Sequence, residues 1–296
     1  MSSQRIFITA LAVTLILSMF ACTRSGSNPT PGLVPPTEAT APPPATSEPM
    51  AALINGEGIP VAEFEAEVAR YRAAQSALGL EVSLEQAGQA VLEDLIDQTL
   101  LAQGAYAAGY AMDEAALQSR IDALTAQAGG PEKFSAWQTA HGYTPETFRT
   151  ALKRSLAAAW MRDKIAASVP ETAEQIHARQ ILVYSQEKAL NVQAQLEAGK
   201  DFDELAALYD PVTHGDLGWF PRGYLFEPEI EKAAFALQPG QISGIIATQV
   251  GFHIIKVLER DAQRPLVPDA RLALQDLALK EWLRKQREQS KIILAP

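Results

Sequence analysis

Residues 215–257, GDLGWFPRGYLFEPEIEKAAFALQPGQISGIIATQVGFHIIKV, decide the reading of this chain. They open on a turn bounded by Gly215 and Gly218, which leads into the aromatic pair Trp219-Phe220. Phe235, Ala236 and Leu237 end a helical run that Pro239-Gly240 stops, because proline offers no N–H to continue it. Residues 241–247 and 252–258 read as strands joined by Gln249-Val250-Gly251. Upstream, Val169-Pro170 breaks a helix and residues 176–185, IHARQILVYS, read as a strand. A helix over 187–198 ends at Gly199, and Asp201 caps another over 202–209. The order strand, helix, helix, turn, helix, strand, strand predicts a small α+β domain with helices around a short sheet.

The same stretch resembles the closing half of a parvulin-type (PpiC) peptidyl-prolyl isomerase domain. Members of that family carry GDLGWF, RG, AFAL-x-PG-x-IS and T-x-x-G-x-HIIK in this order. Here the matching residues are Gly215 to Phe220, Arg222-Gly223, Ala234 to Leu237, Pro239-Gly240, Ile242-Ser243 and Thr248 to Lys256. The resemblance implies an isomerase domain over residues 171–263.

The chemistry it implies breaks no bond. Amide resonance sets a barrier of about 18–20 kcal/mol, and X–Pro bonds cross it in tens to hundreds of seconds. A catalyst need only bind the twisted amide better than the planar one. An apolar pocket for the proline ring and a few hydrogen bonds suffice, with no metal, cofactor or nucleophile.

Carried over position by position, the resemblance implies a pocket with Leu225 at its Met/Leu position and Ile230 at its phenylalanine position. One extra residue between Arg222 and Phe235 lets Phe226 stand in for the missing ring, and Phe235 completes the set. His253 matches the second histidine of the family and Thr248 the hydroxyl beside it. The first histidine is replaced by Gln180, in QILV, which forms hydrogen bonds but does not titrate. Asp210 is the nearest match to the Cys/Asp position. His177 falls on the other face of the strand. Each has a plainer alternative: His253 holding the sheet together, Thr248 shaping a hairpin, Leu225 and Ile230 filling core.

Composition narrows the function from outside. The 296-residue chain has room for about two domains. A formal net charge of −10 argues against nucleic acid or an anionic membrane surface as partner. One cysteine excludes an intrachain disulfide and a cysteine-based zinc site. The four histidines lack metal-ligand spacing, and neither GxxxxGK[ST] nor GxSxG occurs.

Residues 1–22 hold Arg5, an apolar run from Ile6 to Ala21, and then Cys22. This resembles a lipoprotein signal, with Cys22 as the lipidated residue; an uncleaved anchor helix is the other reading. Both place the protein outside the cytoplasm at the cell membrane. Residues 23–50, rich in Pro, Thr, Ser and Ala, cannot bury a core and read as a disordered linker.

Residues 51–170 read as a mainly helical domain. Asn55-Gly56 is a hairpin signal, and the stretch from Ile54 to Phe64 resembles the entry to the N-terminal chaperone domain of SurA/PrsA-type extracytoplasmic foldases. Ser83 with Gln86 is a capping box, Asp113 caps a helix, and Thr144-Pro145 starts another. Apolar stripes such as Phe148, Leu152, Leu156 and Trp160 follow helical spacing. Residues 264–296 carry a final helix with Leu272, Leu279, Trp282 and Leu283, which the resemblance packs back on the helical domain.

Two functions follow. One is an isomerase and chaperone acting on unfolded, exported polypeptides that contain X–Pro bonds, with activity weakened by Gln180. The other is a holdase-type chaperone whose isomerase domain has degenerated into a binding module.

Overall fold

The computed structural model describes residues 49–295, so the expected leader, Cys22 and nearly all of the 23–50 linker lie outside the described residues. The first strand begins at the linker's expected last residue: β1 (Met50–Ile54) pairs antiparallel with β2 (Glu57–Pro60) across Asn55-Gly56. Ile54 and Ile59 face inward and are fully buried.

Five helices follow: α1 (Val61–Ala77), α2 (Leu84–Ala107), α3 (Glu114–Gln127), α4 (Pro131–Ala140) and α5 (Pro145–Ala167). Their starts are written in the sequence. Ser83 Oγ accepts from Gln86 N–H while the Gln86 side chain accepts from Ser83 N–H. Thr144 and Thr147 form the same reciprocal cap, and Asp113 accepts from Ala115 N–H. Such caps satisfy N–H groups that the helix itself leaves unpaired, each contributing about 1 kcal/mol. α2 packs on α1 and α5 through Leu95, Ile96, Leu100, Ala157, Ala158 and Met161.

The second sheet has the order β4-β3-β6-β5, every pair antiparallel. Its strands are β3 (Thr172–Val183), β4 (Asp216–Pro221), β5 (Ile246–Ala247) and β6 (Phe252–Pro265). Alternate residues of a strand point to opposite faces, and the two faces have separate cores. Ile181, Val183 and Ile254 pack under α6 (Gln186–Glu197) and α7 (Phe202–Tyr209). Ile176, Ala178, Ile255 and Val257 pack under α8 (Pro228–Ala236) with Phe220, Ile230 and Phe235.

α9 (Pro268–Gln289) then returns to α2 and α5, burying Leu283 in their core. The chain is therefore of mixed helix and sheet, with a helical part that includes the C-terminal helix. No described helix is long and apolar enough to cross a membrane.

Three local readings change. Residues 216–221 form edge strand β4, where the pattern predicts a turn and an aromatic pair. The strand expected over 241–247 shrinks to Ile246–Ala247 plus one bridge from Ile242 to Lys256, with Gly244 between them. β6 continues past 258 to Pro265, because its polar residues pair with the start of β3. Arg260, for example, donates to Glu174 at 2.9 Å and to the Phe235 and Leu237 carbonyls at the end of α8. Besides β4, a second strand was not foreseen: β7 (Ile292–Leu294) adds to the first sheet beside β1.

Candidate isomerase site

His253 is 2% exposed and lies on the α8 face of the sheet, with Ile255 and Val257. Its two ring nitrogens have different partners. Nδ1 is 2.8 Å from Gln180 Oε1 and Nε2 is 3.0 Å from Thr248 Oγ1. A carboxamide oxygen only accepts, so Nδ1 carries the proton and donates to it. Nε2 then accepts from the Thr248 hydroxyl, which itself accepts from Val250 N–H at 3.2 Å. Burial pushes the His253 pKa below its ordinary value of 6.5, so the ring is neutral at pH 7. With both nitrogens occupied, the imidazole orients its neighbours and has no free lone pair or proton for a client.

Thr248 is held by the hairpin turn, its N–H donating to Gly251 O at 2.8 Å. Gln180 sits in central strand β3 opposite Ile255, and its N–H donates to Gly215 O at 2.8 Å. Gly215 has φ +70°, and a Cβ there would overlap the Gln180 carbonyl oxygen. The position therefore demands glycine.

Asp210 organises that same turn. Its carboxylate accepts from the Thr213 hydroxyl and from the backbone N–H groups of Thr213, Val212 and Gly215. The Thr213 hydroxyl, followed by these N–H groups, holds the Asp210 pKa down to about 2. Asp210 thus reaches the His253 row only through Gly215 and the backbone of Gln180.

The apolar residues gather beside this row. Ile230 and Phe235 are buried in one cluster, with Leu225 and Tyr224 half-buried against it. Arg222 places its guanidinium 3.9 Å over the Phe235 ring. Phe226 stays apart, 101% exposed and packed on nothing in that cluster. His177 occupies the opposite face, with Nε2 2.9 Å from Asp216 Oδ1 and its ring stacked on Trp219.

Sequence reasoning missed Glu231. Its carboxylate accepts from Gly223 N–H at 2.7 Å, Tyr224 N–H at 3.1 Å and Leu225 N–H at 3.4 Å. It thereby fixes the loop that presents Leu225. The available signal was an acidic residue in the first turn of a helix, close behind a glycine loop whose N–H groups need acceptors.

Two family models match the chain. The profile described as the PPIC-type PPIASE domain matches residues 166–259, and that of the SurA-like N-terminal domain matches residues 2–162, more than half of the 296-residue chain. The chain belongs to the SurA-like family and carries a PPIC-type domain.

Among relatives of this SurA-like chain, the foldase protein PrsA of Geobacillus kaustophilus is 31% identical over 192 residues, 61% of this chain and 65% of that protein. The chaperone SurA of Burkholderia thailandensis is 34% identical over 137 residues, 39% of this chain and 30% of that protein. The SurA-like chain thus spans just under two thirds of the first relative and under a third of the second. The crystal structure of the peptidylprolyl isomerase PrsA from Bacillus anthracis is 25% identical, covers 67% of this chain and 96% of that one, and superposes with a TM-score of 0.41.

Proposed function

We propose that this protein is a peptidyl-prolyl cis-trans isomerase and folding chaperone for exported polypeptides. The observation that carries the reading is the Gln180–His253–Thr248 hydrogen-bonded row beside the Leu225 cluster, in a PPIC-type domain. In this reading residues 51–170 and 264–296 hold unfolded clients and residues 171–263 turn over their X–Pro bonds. Residues 1–22 deliver the chain outside the cytoplasm, Cys22 carries the lipid that tethers it to the membrane, and 23–50 is the spacer.

The site works by differential binding. His253 spends Nδ1–H on Gln180 Oε1, which leaves both Nε2 hydrogens of Gln180 without a partner among the described residues. Those donors serve the client amide as it twists and its oxygen and nitrogen change their hydrogen-bonding character. Ile230 and Phe235 are too buried to be touched directly, so Leu225 and Tyr224 form the apolar wall that the proline ring meets. Glu231 positions, through backbone contacts, the loop that carries this wall, and Asp210 holds the turn that meets the backbone of Gln180.

The test is exchange NMR on a panel of short Xaa-Pro peptides, with and without the chain from residue 23 onward. Acceleration that falls on Leu225→Ala and on Gln180→Leu is the expected result. Absence of acceleration at stoichiometric protein refutes the isomerase reading.

Two observations favour a holdase instead. The titratable first histidine is replaced by Gln180, and the ring that could stand in the pocket, Phe226, is turned to solvent. A holdase suppresses aggregation of an unfolded client equally well after His253→Ala and Leu225→Ala. Loss of suppression in those variants removes this alternative.

A further inference from the structure

α9 is fastened to the helical part of the chain. Arg287 donates to Asp97 at 2.8 Å and to the Glu93 carbonyl at 3.2 Å, and Leu283 is buried beside α2. The ring of the adjacent Trp282 lies tight over Gly104. Nearer its start, Gln275 Nε2 donates to the Ala166 carbonyl at the end of α5, at 3.2 Å.

The same helix also touches the isomerase domain. A Cβ on Gly223 would overlap Leu277 Cδ2 and stand 3.6 Å from Leu274 Cδ2, so the backbone of Gly223 rests directly on α9. Gly223 is at φ +86°, a conformation suited to glycine. It also begins the run of three N–H groups that Glu231 collects, a run that ends at Leu225. The loop is therefore gripped from two sides, by Glu231 on α8 and by Leu277 on α9. Leu277 remains 45% exposed, so its contact adds little to core burial. Its consequence lies in what it pushes against.

We propose that Leu277 is a positioning residue for the isomerase pocket, a strut through which the helical part sets where Leu225 stands. A client that shifts α9 then alters the pocket wall without touching it. This inference rests on the isomerase reading above.

The experiment uses the chain from residue 23 onward with Leu277→Ala, Leu277→Met, Gly223→Ala and the Gly223→Ala/Leu277→Ala double variant. Backbone amide shifts of residues 223–225 are recorded, together with KM and kcat on an Xaa-Pro tetrapeptide. Leu277→Ala should move those amides and raise KM several-fold while kcat stays within about twofold, and Leu277→Met should restore both. Gly223→Ala should weaken peptide binding, and adding Leu277→Ala should recover part of the loss, since removing the leucine relieves the overlap but not the backbone strain. Unmoved amides at 223–225, an unchanged KM, or strictly additive effects in the double variant each overturn the strut. If the unmodified chain gives no turnover, the isomerase reading falls. Peptide affinity by titration then replaces KM, and the same amide shifts and the same cycle decide the strut.

Discussion

Gln180 Oε1 stands 2.8 Å from His253 Nδ1, and this bond fixes which ring nitrogen holds the proton. Replacing Gln180 by Leu leaves a buried N–H without an acceptor. A stranded buried donor costs about 1–3 kcal/mol, so urea unfolding should show a loss of that order. The 15N spectrum of His253 should lose its single tautomer. Gln180→Glu keeps an acceptor and adds a negative charge, which raises the His253 pKa. A titration that finds it unmoved contradicts the contact.

The pH dependence of stability follows from the buried ring. The folded His253 pKa lies below 6.5, the ordinary value it regains on unfolding. Between the two values the unfolded chain binds a proton that the folded chain does not. Stability is therefore complete above pH 6.5 and declines as pH falls through the folded pKa. Urea midpoints measured at several pH values should fall toward acid, and His253→Asn should flatten that part of the profile.

Gly215 is the most demanding backbone position near the site. A non-glycine residue at positive φ costs about 1–2 kcal/mol, and the overlap with the Gln180 carbonyl adds to that. Gly215→Ala should lower the melting temperature clearly and shift the Gln180 amide. Asp210→Ala should loosen the same turn more mildly. The Asp210 contribution is present above its unfolded value near 3.8 and is lost only as pH falls through about 2, so at neutral pH its effect is constant.

Phe226 separates binding from stability. Its ring is fully exposed, and surface substitutions of this kind stay within about 0.5 kcal/mol. Phe226→Ala should leave the unfolding midpoint in place while weakening the capture of apolar Xaa-Pro peptides in a fluorescence titration. Equal affinity for both forms removes Phe226 from the substrate-binding set.

Much of this was legible before any coordinates. Caps at Ser83, Asp113, Thr144 and Asp201 act locally, so short sequence windows reveal them. The strand period put His177 on the opposite face from Gln180, whereas the pairing that sets His253 beside Gln180 needed the register of β3 on β6. β4 and β7 were hidden because their pairing partners lie far away in sequence. Ile292–Leu294 is three residues long, and only β1, more than two hundred residues earlier, makes it a strand. The solvent-facing side of Phe226 was equally invisible. Spacing brought that ring near the pocket, but the direction of a loop side chain is set by tertiary packing.

The pairing of β1 with β7 also dictates an order of events during synthesis. Met50–Ile54 emerges more than two hundred residues before Ile292–Leu294, yet they are neighbours in one sheet. The stretch between α5 and α9 closes on itself, with Thr172 opposite Pro265. Its sheet can form while the ribosome still holds the tail, although the Gly223 loop then lacks its contact with Leu277. The helical portion, although translated first, waits with one sheet edge unpaired and the Leu283 position in its core unfilled. A stalled or clipped chain would thus release a folded β3–β6 sheet, its Gly223 loop still without Leu277, on an incomplete, sticky base, the reverse of the usual N-terminus-first sequence.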